Sequence, residues 1–171
     1  MIPTLLPPWL SGDLSLISGF LTWIVVLYWL WRSGWKIQRR YFIEATQKPL
    51  TRNAIVWSAG IVGAIFFVAA QMRPGMPGVM TVAMIGALSA YVDARTHRLP
   101  NAYTVAMAIG VVLGLAVGGV ISPLWQERLF GALIGALIWF VPIALLNRLP
   151  GGMGGGDVKL GPVLGALVGS V

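Results

Sequence analysis

Five acidic residues occur in the 171-residue chain, and two of them occupy costly positions. Asp93 closes one apolar run and Asp157 opens another, at membrane-edge depths where a carboxylate is a functional candidate by default. Asp13, Glu44 and Glu127 fall in polar flanks where ordinary solvation suffices. Taken singly, Asp93 reads as a helix-end carboxylate neutralised by Arg95 or Arg98, and Asp157 as the N-cap of a helix beginning at Val158. Their equal depth on one side favours a joint role. Two carboxylates that share a proton cannot both ionise easily, so one keeps the proton while the other stays basic. The base takes a proton from water as it attacks a peptide carbonyl, and the acid polarises that carbonyl and protonates the leaving amine. Gly154, Gly155 and Gly156, just before Asp157, then have a use: without side chains they let an extended substrate backbone approach, and they let the loop close on it.

The elements that must position this pair are apolar. Hydrophobic residues make up 57% of the chain, charged residues 10%, and mean hydropathy is +0.82, which excludes an ordinary soluble domain. Residues 14–31, 54–72, 76–92, 103–121 and 129–146 approach the length needed to cross a hydrocarbon layer of about 30 Å, and a sixth run, 158–171, is short of a full crossing. The expected fold class is all-α: a polytopic helical transmembrane bundle of about six spans, the last incomplete. The chain divides into an N-terminal two-span region, 1–75, and a catalytic region, 76–171. A cleaved signal peptide is not expected, because the first residues lack a basic segment and no A-x-A-like site follows.

The net charge of +7 follows membrane sidedness and does not build a nucleic-acid surface. Arg32, Lys36, Arg39, Arg40, Lys48, Arg52, Arg95, Arg98, Arg148 and Lys159 all fall in alternate connecting segments, leaving Arg73 and Arg128 for the other side. The positive-inside rule therefore puts the N-terminus outside and segments 32–53, 93–102 and 147–157 in the cytoplasm. Within 32–53, bases interleave with Trp35, Ile37, Tyr41, Phe42 and Ile43, which predicts a short helix in the anionic headgroup layer or a solvated loop, with no catalytic part in either case. Gly110, Gly114 and Gly118 share a helix face, as do Gly161, Gly165 and Gly169, and Gly131 and Gly135 repeat the spacing. These predict close helix packing, with a helix–helix oligomer as a further expectation. No cysteine and a single histidine leave no disulfide and no cysteine- or histidine-built metal site, and no cofactor is expected.

The stretch from Gly154 through Asp157 to Val158, Lys159 and Leu160 resembles the GxGD signature of type IV prepilin peptidases. The stretch from Asp93 to Leu99, Pro100 and Asn101 is similar to the first aspartate motif of the same family. The resemblance covers about residues 80 to 171. It implies a membrane aspartic endopeptidase of the bacterial or archaeal cytoplasmic membrane, cutting the short basic leader from prepilin-like proteins at the cytoplasmic face, with Asp93 and Asp157 as the catalytic pair. Lys159 supports the second motif; Pro100 and Asn101 support the first and start the following helix. His97 occupies a variable slot of the motif and reads as a loop residue. Presenilin-like proteases pair GxGD with a Tyr-Asp dipeptide, whereas Val92 separates Tyr91 from Asp93 here. Without cysteine, the insert that accompanies methyl transfer in long family members is missing. The alternatives are a proton-coupled transporter or ion pathway, and an idle assembly component of a pilus or secretion system; the spans carry almost no midplane charge of the kind a relay needs.

Overall fold

A computed structural model describes residues 8–69, 76–121, 124–149 and 155–170. The chain runs α1 (Pro8–Trp29), a π-helical turn (Leu30–Gly34), α2 (Trp35–Glu44), α3 (Arg52–Ala69), α4 (Met76–Thr96), α5 (Asn101–Ile121), α6 (Trp125–Asn147) and α7 (Gly155–Ser170). Among the described residues there is no strand. Five stretches are long and apolar enough to cross a membrane: Asp13–Glu44, Arg52–Ala69, Met76–Thr96, Asn101–Ile121 and Trp125–Asn147. All-helical structure is what lipid demands, since only a helix satisfies its backbone polar groups within one segment. The end of the second expected span, 70–72, lies outside the described residues.

α4 is the central helix. Met76, Met80, Met84, Ile85, Leu88 and Val92 are buried along it, together with Tyr103 and Met107 of α5, Ile55 and Ala59 of α3, Phe42 of α2, and Val26 and Leu30 of α1. The described parts of 1–75 and 76–171 thus share one core. Burial is inverted at the other extreme: 56% of the apolar window of α4 is buried, against 6% of that of α6. Leu133, Leu137, Ile138 and Phe140 of α6 are exposed, as expected where the solvent is acyl chain.

The spaced glycines are packing residues. A Cβ on Gly135 would strike the carbonyl oxygen of Gly165, one on Gly131 that of Gly169, and the same holds in reverse. So α6 and α7 meet backbone to backbone. On α5, a Cβ on Gly110 would overlap the Thr81 side chain of α4.

The basic segment is helical over Trp35–Glu44, followed by a turn and loop at 45–51, but α2 is not a separate helix, because α1 passes through the π turn into it without a break. Gly34 lies within this turn in right-handed helical geometry, with the Leu30 and Trp29 side chains close on its bare side. Its carbonyl accepts a hydrogen bond of 2.9 Å from the buried Tyr103 hydroxyl, which anchors the turn to α5. Beyond it Gln38 and Phe42 are buried, with the Phe42 ring stacked on Tyr91 of α4 at 5.7 Å. α2 therefore stands against the end of α4.

Candidate active site

Asp93 lies in the last turn of α4, exposed. The helix ends three residues later through His97, whose positive φ of 53° reverses the chain. The His97 backbone N–H donates to the Asp93 carbonyl at 2.7 Å, the single bond of a left-handed helix cap, and histidine tolerates that conformation better than a branched residue. The Thr96 hydroxyl donates to the Val92 carbonyl at 2.8 Å and fixes the same turn. Pro100 is buried, and its carbonyl accepts from the Tyr103 N–H at 3.0 Å and the Thr104 N–H at 3.3 Å, so α5 begins at Asn101 as the Pro-Asn pair predicts.

Asp157 enters from α7, half-buried. The helix begins at Gly155, three residues earlier than the N-cap reading required, so Asp157 is a first-turn residue and not the cap. The unpaired N–H groups and the dipole of a helix start favour a carboxylate there. Gly154 lies outside the described residues, and Gly155 is the first residue of α7. Gly156 is sterically committed: a Cβ on it would sit 2.8 Å from the Leu99 Cβ in the α4–α5 turn. Its missing side chain is taken up by a neighbour of the chain itself.

Both aspartates line one cavity of about 550 Å³ at the end of the bundle. Its wall is completed by Arg40, Tyr41 and Glu44 of α2, by His97, Arg98 and Leu99 of the turn, by Asn101 of α5, and by Gly156 and Lys159 of α7. The charges there are partly paired off. Glu44 accepts from Arg40 Nε at 2.8 Å and from Arg98 Nη1 at 3.3 Å, while the Arg95 guanidinium lies 5.9 Å from the Tyr91 ring centroid. Arg95 and Arg98 therefore do not neutralise Asp93, and among the described residues neither aspartate has an ion pair. Lys159 Nζ donates to Asn101 Oδ1 at 2.9 Å. The two sequence motifs touch through their subsidiary residues, Leu99 on Gly156 and Asn101 on Lys159.

The structure adds Arg40, Tyr41, Glu44, His97 and Arg98 to the residues read from sequence. The signal for the first three was the amphipathic pattern of 35–44, with Gln38 and Phe42 on one face and an Arg40/Glu44 pair at i,i+4 on another. Among the described residues no group of three or more His, Cys, Asp or Glu side chains is arranged to hold a metal ion. A cavity that offers two unpaired carboxylates beside cations and a polar wall is suited to proton transfer on an extended polar substrate.

No curated protein and no solved structure shows significant similarity to the chain. The profile of the type IV leader peptidase family matches residues 79–171, more than half of the chain and a region holding both aspartates, the turn between α4 and α5, and α7. With several helices long and apolar enough to cross a bilayer, the protein is a multi-pass membrane protein, and it belongs to the type IV leader peptidase family.

Proposed function

We propose that the protein is an aspartic endopeptidase that removes the N-terminal leader of prepilin-like membrane proteins at the cytoplasmic face, with Asp93 and Asp157 as its catalytic pair. One observation carries the reading: two carboxylates from helices separated by two spans line one cavity, at the bundle end where the basic residues gather. The reaction needs one aspartate to act as acid and the other as base. The base takes a proton from water as the oxygen attacks the scissile carbonyl carbon; the acid donates to the carbonyl oxygen. Collapse of the tetrahedral intermediate breaks the C–N bond, and the leaving nitrogen takes up a proton from the pair. A cavity of about 550 Å³ is large enough for a few extended residues, so a leader unwound just before its apolar helix suits it better than a helical segment.

The test is to co-express Asp93→Asn, Asp157→Asn and the double variant with a prepilin-type substrate and to follow the loss of mass on leader removal. Asn keeps the size and removes the titration. Each single variant is expected to abolish cleavage almost as completely as the double, because members of one catalytic unit are strongly non-additive. Retained cleavage in either single variant, with the protein inserted, overturns the assignment.

A further inference from the structure

We infer that Lys159 and Asn101, backed by Leu99 against Gly156, form a latch that sets the separation of the two aspartates. The inference rests on the aspartic reading above, and it makes Lys159 and Asn101 positioning residues for the hydrolysis. Asp93 and Asp157 make no polar contact with each other, and α7 packs mainly on α6 and α5, so its place relative to the end of α4 is set indirectly. Asp93 is held to Asn101 through a short, heavily bonded turn: His97 N–H to the Asp93 carbonyl, Thr96 hydroxyl to the Val92 carbonyl, and buried Pro100 accepting from the first turn of α5. Asp93, Leu99 and Asn101 thus move as one body. Asp157, Gly156 and Lys159 form the other body, the first turn of α7.

The two bodies meet at two points with opposite mechanical sense. The Leu99 Cβ against the bare Gly156 Cα is a stop, because nothing can bring the helix start nearer than that contact. The Lys159 ammonium on the Asn101 amide oxygen at 2.9 Å is a tether, which resists the helix start swinging away. Among the described residues it is the side-chain hydrogen bond that joins α7 to the α4–α5 turn. The chemistry of the tether suits its place. The cavity's third carboxylate, Glu44, is already paired with Arg40 and Arg98, and an amide oxygen holds the ammonium without adding a further unpaired carboxylate beside the two aspartates. Both groups are exposed on the cavity wall, where a neutral acceptor costs little to solvate. Stop and tether together fix the gap between carboxylates, and a misplacement of about 1 Å costs on the order of 10²-fold in rate.

The experiment uses the full chain in liposomes with a synthetic substrate carrying a short basic leader joined to an apolar segment. Lys159→Met and Asn101→Ala are each expected to lower kcat by about 10²-fold with KM little changed. The double variant should be no slower than either single one, and Lys159→Arg should restore most of the rate because it keeps the donor. Additive losses, or an arginine variant as slow as the methionine one, overturn the latch. The second measurement exploits the absence of cysteine: Asn101→Cys with Lys159→Cys, joined by a reducible bis-methanethiosulfonate whose spacer matches the reach of the lost lysine stem, replaces the hydrogen bond by a covalent tether without drawing the backbones together. Cleavage by the cross-linked form at or above the rate of its reduced form supports the latch, and loss of cleavage on cross-linking overturns it. This arm decides the matter even if Lys159→Met fails to insert. If the Asp→Asn variants keep cleaving while the cysteine pair still closes readily, the aspartic reading has failed and the contact has not.

Discussion

At Gly156 the requirement for glycine comes from inside the protein. The residue looked from sequence like an opening for substrate, and its free side is instead occupied by Leu99. A methyl group there meets the Leu99 Cβ, which sits on the backbone and cannot swing aside as a side-chain tip would. Gly156→Ala is therefore expected to push the start of α7 away from the α4–α5 turn and to reduce leader cleavage at least tenfold, while leaving membrane insertion intact. Combining it with Leu99→Gly should recover much of the loss, since that change removes the atom in the way; a double variant as inactive as the single one would show that Gly156 serves something other than this contact. His97 was passed over in the sequence because its motif slot tolerates many residues, yet its positive φ ends α4 and puts the ring on the cavity wall. Asp93 and Asp157 stood out by type and placement, whereas Pro100, Asn101 and Lys159 were picked out only by the resemblance of the two motifs to those of a known family. The partners of each were not, because Leu99–Gly156 and Asn101–Lys159 are contacts between segments far apart in the chain.

The helices were legible as elements and less so in how they join. Apolar length located every span, and glycine spacing foretold the contact of α6 with α7. What the pattern concealed was the continuity of α1 with α2, since the charges of 32–40 look like the exit from the membrane and say nothing about whether the backbone stays helical. The π turn answers that at Gly34, and its anchor is testable. Tyr103→Phe removes the hydroxyl bond to the Gly34 carbonyl that ties the π turn to α5, and should cost about 0.5–1.5 kcal/mol of stability in a reversible unfolding measurement. Unchanged stability would mean that the carbonyl finds another donor. On the opposite side of the bundle, Gly135→Leu should separate α6 from α7 because the new side chain would enter the backbone of Gly165. Protease protection of α7 in membranes reports this directly, and a protected α7 in the variant would refute the interlock.

For the molecule as a whole, sidedness came from charge and architecture from hydropathy, and the two are independent. Placement of the cavity in the cytoplasm remains a proposal from the positive-inside rule. Gln47 and Arg148 are exposed, as are Asp13 and Glu127 near the opposite ends of their helices, and the chain has no cysteine to confuse a label. Single cysteines at Gln47 and Arg148 are expected to react with an impermeant maleimide only in opened vesicles, and cysteines at Asp13 and Glu127 in sealed right-side-out ones. Labelling of Gln47 and Glu127 from the same side would break this topology.

The most deeply packed helix is also the one least suited to lipid. α4 is the least apolar of the five membrane-length helices, well below α5 and α6. A segment so marginal gains little from entering the bilayer alone. Its Thr81 and Ser89 are buried among neighbouring helices, so their polar atoms never face acyl chains in the finished protein. Biogenesis should thus be cooperative: α4 should leave the insertion machinery efficiently only when α3 precedes it and α5 follows. Chains ended in the α4–α5 turn are expected to integrate their last segment poorly and to be degraded, whereas chains extended through α5 should be retained.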